Sequence, residues 1–225
     1  MPRERAPLAS LWLSIAQACV ALALASLLFN VTLDAELHGR LKEYSYVRKS
    51  ITKVLSSGTM WAAIAFYAGW KVARPLLSFV AGVGAAMVTL TIHYVLGSLL
   101  GVYPPGELAS NGFWFVVALV LCGPMGLFGW VAARQEGVIA LLAKLVVPAG
   151  AILEPFVLGR FGPMWPGVPW PERYSDYTSG VVLVALGVVG AVWVVRNSLK
   201  ERRSVSSARV GQACPFPERC SCEGR

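Results

Sequence analysis

Residues 145–160 read LVVPAGAILEPFVLGR. Apart from Glu154 and Arg160, every side chain in the stretch is apolar or absent. The run extends back to Gly137, interrupted once by Lys144. About 20 apolar residues are what a helix needs to cross roughly 30 Å of hydrocarbon. A helix is also the open conformation that pairs all its own backbone groups in lipid. Reading 137–158 as a membrane span decides the fold and raises a question. A carboxylate stands about one turn from the span's end, and Pro155 behind it biases Glu154 away from helical geometry.

Working outward, five more apolar segments appear at 8–33, 51–70, 75–102, 112–133 and 179–195. The expectation is an all-α, polytopic transmembrane helix bundle of about six spans over residues 1–195, followed by a basic, disordered tail over 196–225. Composition agrees. The chain is 56% hydrophobic and 14% charged, against about 25% charged in a soluble domain, and its mean hydropathy is +0.60. The N-terminal run is longer than a secretory signal's apolar region of roughly 7–15 residues, so it reads as a retained span. Small residues in AGVGAAM (81–87), at Gly123, Gly126 and Gly129 around Pro124, and at Gly180, Gly187 and Gly190 mark faces where helices approach closely.

The net charge of +8 does not imply nucleic acid, because the basic residues flank apolar runs instead of gathering into one domain. Placed as topology signals, they put both termini in the cytoplasm and the protein in the cell membrane. Arg40, Lys42, Arg48, Lys49, Lys53, Arg160 and Arg173 run against that orientation. Most of them lie in one segment, 34–53, which mixes charge with Leu and Tyr and reads as an interfacial helix. The five cysteines form no disulfide framework. Cys19 and Cys122 lie in spans, while Cys214, Cys220 and Cys222 crowd the tail without a fourth metal ligand. No metal or cofactor motif is present: there is no HExxH, no phosphate-cradling glycine loop, no serine elbow and no DDxxD box.

The acids are distributed unevenly. Asp34, Glu36, Glu43, Glu107, Glu172 and Asp176 fall on the side of the membrane that the end of span 137–158 approaches, so Glu154 joins them. Aromatic residues gather there too: Tyr94, Tyr103, Trp114, Phe115, Trp165, Trp170 and Tyr177. The prolines of RFGPMWPGVPWPERYSDY (160–177) predict an irregular surface loop. Intramembrane ionisable residues are expensive and mark function or a satisfied pair. Glu154, Glu107, Asp176 and His93 are therefore the candidate acid/base groups, with the aromatic residues as candidate substrate-binding groups. For each there is a structural alternative: Glu154 paired with Arg160, His93 satisfied by Thr89 four residues back, Glu107 solvated in a turn, and the aromatic residues an interfacial belt.

GTMWAAIAFYAGW (58–70), HYVLG (93–97), GPMGLFGW (123–130) and the Glu-bearing span resemble a broad family of small polytopic membrane proteins, mainly actinobacterial and without assigned function, over roughly residues 50–195. In size, span number and acids set among aromatic rings the chain also resembles membrane-bound terpene cyclases. That likeness implies a carboxylic acid that protonates an olefin of an isoprenoid or prenylated substrate. The alternatives are a small proton-coupled transporter, which uses ionisable residues as carriers, and a scaffold without chemistry. Membrane lipids are partners under all three.

Overall fold

The structure, a computed structural model, describes residues 8–104, 106–162 and 167–212. Nine helices and no strand occur among them: α1 (Leu8–Asn30), α2 (Asp34–Leu37), α3 (Lys42–Leu55), α4 (Gly58–Lys71), α5 (Pro75–Leu99), α6 (Glu107–Ser110), α7 (Gly112–Arg134), α8 (Gly137–Val157) and α9 (Trp170–Gln212). The class is all-α, as expected. Five helices (α1, α5, α7, α8 and α9) are long and apolar enough to cross a membrane. Their outward faces carry exposed Leu and Val, among them Leu13, Leu28, Leu76, Val120 and Val189.

The expected span at 51–70 is divided. Ser56 and Ser57 separate α3 from α4, and α4, at 14 residues, is about 21 Å long. Ser57 has extended backbone, and its hydroxyl accepts from Met60 N, which is an N-cap. The polar pair thus starts a new helix where a hydropathy average runs straight through. The other departure is at α9. Its first turns occupy 170–177, which the prolines had assigned to a loop. Pro163 and Pro166 lie outside the described residues and Pro169 precedes the helix. Pro171 falls in the first turn, where its missing N–H has no intrahelical partner to lose. The same helix runs past 195 to Gln212, through residues expected to begin the tail. Cys214, Cys220 and Cys222 lie outside the described residues.

The interior is built of small side chains. One cluster joins Ile15, Cys19 and Leu22 of α1 to Ile64 and Ala68 of α4 and Ala81 and Ala85 of α5. A second joins Ala65, Ala86, Leu90, Ala118 and Cys122. Close approach replaces bulk, as in membrane bundles generally. A Cβ on Gly126 of α7 would stand 2.2 Å from the Ser78 carbonyl oxygen of α5, and one on Gly69 of α4 would stand 1.9 Å from the Gly126 oxygen. Both obstacles are backbone, which has no rotamer to change. Gly126→Ala is therefore expected to cost about 2–3 kcal/mol by overpacking and to lower the denaturation midpoint in detergent. Gly84→Ala, with nothing within 4 Å of its Cβ, should leave the midpoint unchanged or raised.

Contacts define two ends of the bundle. At one, Lys144 lies 3.8 Å from Glu201 and 6.0 Å from the Trp70 ring centroid, and Trp130 Nε1 donates to Ala73 O at 3.0 Å. At the other, the acidic residues meet α3. Arg48 pairs with Glu36, Lys49 with Glu172, and Lys53 with both Glu172 and Asp176. Three of the basic residues that ran against the topology rule, Arg48, Lys49 and Lys53, thus have carboxylate partners on their own side.

Candidate functional site

Between α7 and α8, backed by α1, α4 and α5, lies a cleft of about 780 Å³, within the roughly 300–1,000 Å³ usual for small-molecule sites. Val117, Ala118, Leu121, Met125, Val147 and Leu153 supply apolar wall. Two polar groups of residues face it from the acidic end.

The first is centred on Glu154. α8 continues through Pro155 to Val157, so the proline does not end the helix, and the Glu154 carboxylate reaches the start of α4. Gly58 N donates to Oε1 at 2.9 Å. Thr59 N and Thr59 Oγ1 donate to Oε2 at 2.8 and 2.6 Å. With Met60 N on the Ser57 hydroxyl, the first three N–H groups of α4, which have no intrahelical acceptor, are all satisfied. The positive end of the helix dipole faces the same carboxylate. Arg160 lies 3.8 Å from Oε1 and donates to Ser179 Oγ at 2.7 Å and to the Lys53 carbonyl at 3.4 Å. It thereby joins the last turn of α3 to α9. Glu154 and Arg160 are 13% and 10% exposed. Both Glu154 oxygens accept, so the structure gives Glu154 a different use from the expected proton donor: it is the cap of a helix that begins inside the bundle.

The second group comes from the end of α5. Gly101 takes a φ of +69°, a left-handed helix end that glycine adopts without strain, and the chain folds back. The Tyr103 ring then lies on α5 over Gly97, where a Cβ would stand 2.2 Å from it. Tyr103 Oη reaches His93 Nε2 at 2.7 Å, a bond that closes with either imidazole tautomer. Tyr94 and Tyr103 stand 5.2 and 5.5 Å from the His93 ring. His93 is buried, and its Nδ1 has no hydrogen-bond partner among the described residues. Burial, reinforced by Tyr94 and Glu107 and opposed by the nearby Asn30 side chain, pushes the Tyr103 phenol up to about 12. It is a neutral O–H at any physiological pH. Thr89, the partner expected for His93, instead donates to Ala85 O at 2.7 Å, the back-bonding a mid-helix threonine favours. Glu107, at the start of α6, accepts from Asn111 Nδ2 at 2.8 Å through Oε1.

Of the residues singled out in the sequence, Glu154, Glu107, His93, Tyr94, Tyr103 and Trp114 line this one cleft. Phe115 sits behind it, 6.3 Å from the Tyr94 ring. Asp176, Trp170 and Tyr177 are elsewhere: Asp176 on Lys53, Trp170 against Tyr46 and Tyr174, Tyr177 against Phe161. Trp165 lies outside the described residues. Thr59, Ser56, Ser26 and Asn30 were not anticipated. The only local sign was SSGT (56–59), a cap signal hidden inside an apolar segment. No group of three or more metal-ligating side chains occurs among the described residues.

Fold and cleft together define an all-α helix bundle of the membrane type with an internal, half-open cavity. No family model, curated protein or solved structure matches this chain.

Proposed function

We propose that the chain is an integral protein of the cell membrane that binds an isoprenoid or prenylated, lipid-soluble substrate in this cleft and rearranges it by acid-initiated cyclisation. The observation that supports this reading is the convergence of a carboxyl, an imidazole, two phenols and an indole (Glu107, His93, Tyr94, Tyr103 and Trp114) on one cavity with apolar walls. Glu107 is the candidate acid: its carboxyl faces the cleft and accepts from the Asn111 amide through Oε1. Its proton adds to one carbon of a double bond and leaves a cation on the other. A second double bond of the substrate attacks that cation and closes a ring. The faces of Tyr94 and Trp114 stabilise the charge by cation–π attraction. His93, linked to Tyr103, accepts the proton lost at the end. No atom is gained or lost overall. The orientation that suits the reading keeps both termini cytoplasmic, with Lys71, Arg74, Arg134 and Arg196 at the inner end.

Purified protein incubated with farnesylated or geranylgeranylated acceptors should yield a product of unchanged mass and altered chromatographic retention. Glu107→Gln is expected to slow it at least about 100-fold, the lower range for a general acid, with the unfolding midpoint retained. Undiminished turnover would remove Glu107 from the mechanism, and absence of any rearranged product would remove the cyclase reading. Transport is the second reading, supported by α4, a shortened helix whose N-terminus begins inside the bundle at the cleft, as discontinuous helices do in transporters. It predicts solute or proton flux in proteoliposomes that His93→Ala abolishes.

A further inference from the structure

We infer that the cleft is filled sideways from the lipid, between α7 and α8, and that it selects an amphiphile with an uncharged, hydrogen-bonding head. This rests on the reading of the cleft as a substrate site, and it adds the way in and the class of head group.

The route follows from how α7 and α8 are joined. They form a hairpin linked by Gln135 and Glu136. The cleft-lining residues of these two helices, 114–125 on α7 and 146–157 on α8, lie in the halves remote from that link. The helices therefore stand apart at the acidic end. α7 lies closely along α4 and α5 and meets α8 far less. The rim is apolar on both sides and faces outward: Trp114 and Leu121 on α7, Leu153 and Val157 on α8 are all more than half exposed while also lining the cavity. A mouth rimmed by such groups, set between two helices of membrane-spanning length, opens on hydrocarbon.

The head group follows from charge. The carboxyl groups at the cleft are Glu154 and Glu107, the latter the neutral acid of the proposed reaction. The cation among its described lining residues is Arg160, which is already committed to Ser179, the Lys53 carbonyl and Glu154. A phosphate would meet the Glu154 carboxylate without an uncommitted cation, and burying an unpaired charge is costly. An ammonium would find Glu154 already saturated by three donors and Glu107 carrying the proton that the proposed reaction uses. The inner wall instead offers groups that both donate and accept: Ser26 and Ser56, whose hydroxyls are 3.4 Å apart, Asn30 and Tyr103. These suit a hydroxyl or carbonyl.

The test uses the whole chain in phosphatidylcholine nanodiscs and three diazirine-tagged probes with the same isoprenoid chain, ending in an alcohol, a monophosphate or an amine. The alcohol should cross-link chiefly within 114–125 and 146–158. Unlabelled alcohol should compete at least 10-fold better than the phosphate or the amine. Gly150→Leu, whose Cβ would make only ordinary contact with Thr59, should fill the cleft and cut labelling about 10-fold without lowering the unfolding midpoint. Labelling spread evenly over outward faces would overturn the site. Equal or better competition by the phosphate or amine would overturn the selectivity. Because binding is read without turnover, a chain that binds the alcohol and makes no product would sink the cyclase reading and leave this one standing.

Discussion

Glu154→Ala is expected to lose about 3 kcal/mol of stability and to expose the Gly58 and Thr59 amides to hydrogen exchange at least 10-fold faster. The change removes the acceptor for two backbone N–H groups and one hydroxyl at once. Hydrogen bonds to a charged group contribute about 1.5–3 kcal/mol each, and a buried donor left without an acceptor costs about 1–3 kcal/mol. An ordinary N-cap deletion costs only about 0.5–2 kcal/mol. The terms are not additive, because water can reach the vacated space through the cleft. Arg160 also loses its nearby carboxylate but keeps Ser179 and Lys53 O, which limits the damage on that side. Glu154→Gln should recover little. Its amide oxygen can accept from one of the two N–H groups, while its NH2 then faces the other. Glu154→Asp should fall between, with the right charge on a shorter arm. Equilibrium unfolding in mixed micelles measures the first quantity and amide exchange the second. Wild-type protection at Gly58 and Thr59 in Glu154→Ala would show that α4 begins without its cap, and the assignment of Glu154 as a structural carboxylate would fail.

Where side-chain chemistry repeats along one helix, the fold could be read from the sequence; where it meets across the chain, it could not. The bounds of α1, α5, α7 and α8 fall within about three residues of the apolar runs, because a span is a sum over many similar residues and tolerates local exceptions. The segment 51–70 fails the same sum because two serines outweigh it locally: Ser57 offers the backbone a cap, and a cap ends one helix and begins another whatever the average hydropathy. Pro155, Pro148 and Pro124 show the reverse, local breakers overridden by packing, since all three lie inside helices. At the site, the oddity of Glu154 was visible, but its partners Gly58 and Thr59 lie about a hundred residues earlier and carry no signature of needing an acceptor. Tyr103 could be placed beside His93 only once Gly101 was known to reverse the chain. Asp176 was grouped with the acids as a site candidate; it pairs with Lys53 and is not among the residues that line the cleft.

The second large effect concerns Arg48 and Glu36, where removing either partner is expected to cost about 3–5 kcal/mol and removing both much less. Their side chains are 6% and 3% exposed. Arg48 Nε lies 3.0 and 3.1 Å from the two Glu36 oxygens, and a terminal nitrogen donates to Oε2 at 2.8 Å. Its other terminal nitrogen donates to Phe29 O at 2.9 Å, one of the last carbonyls of α1, where a cation also meets the negative end of the helix dipole. Arg48 therefore ties the end of α1, α2 and α3 together. Breaking a buried pair strands a charge, which accounts for the 3–5 kcal/mol, whereas replacing both members by apolar groups of similar volume is often neutral or better. Arg48→Met and Glu36→Leu should each be severely destabilising. The double variant should recover more than half of the summed loss, held back by Thr32 Oγ1, which loses its donor, and by the Phe29 carbonyl, which keeps its bond from Thr52 Oγ1 at 2.6 Å. The pairs nearby provide the scale. Lys49–Glu172 and Lys53–Asp176 are 20–44% exposed, and pairs that reach solvent contribute about 0–1 kcal/mol. Lys49→Ala should then lose less than about 1 kcal/mol in the same micelles. If Arg48→Met lost no more than Lys49→Ala, the guanidinium would be in contact with water, and the junction of α1 with α3 would be an open surface instead of a sealed seam.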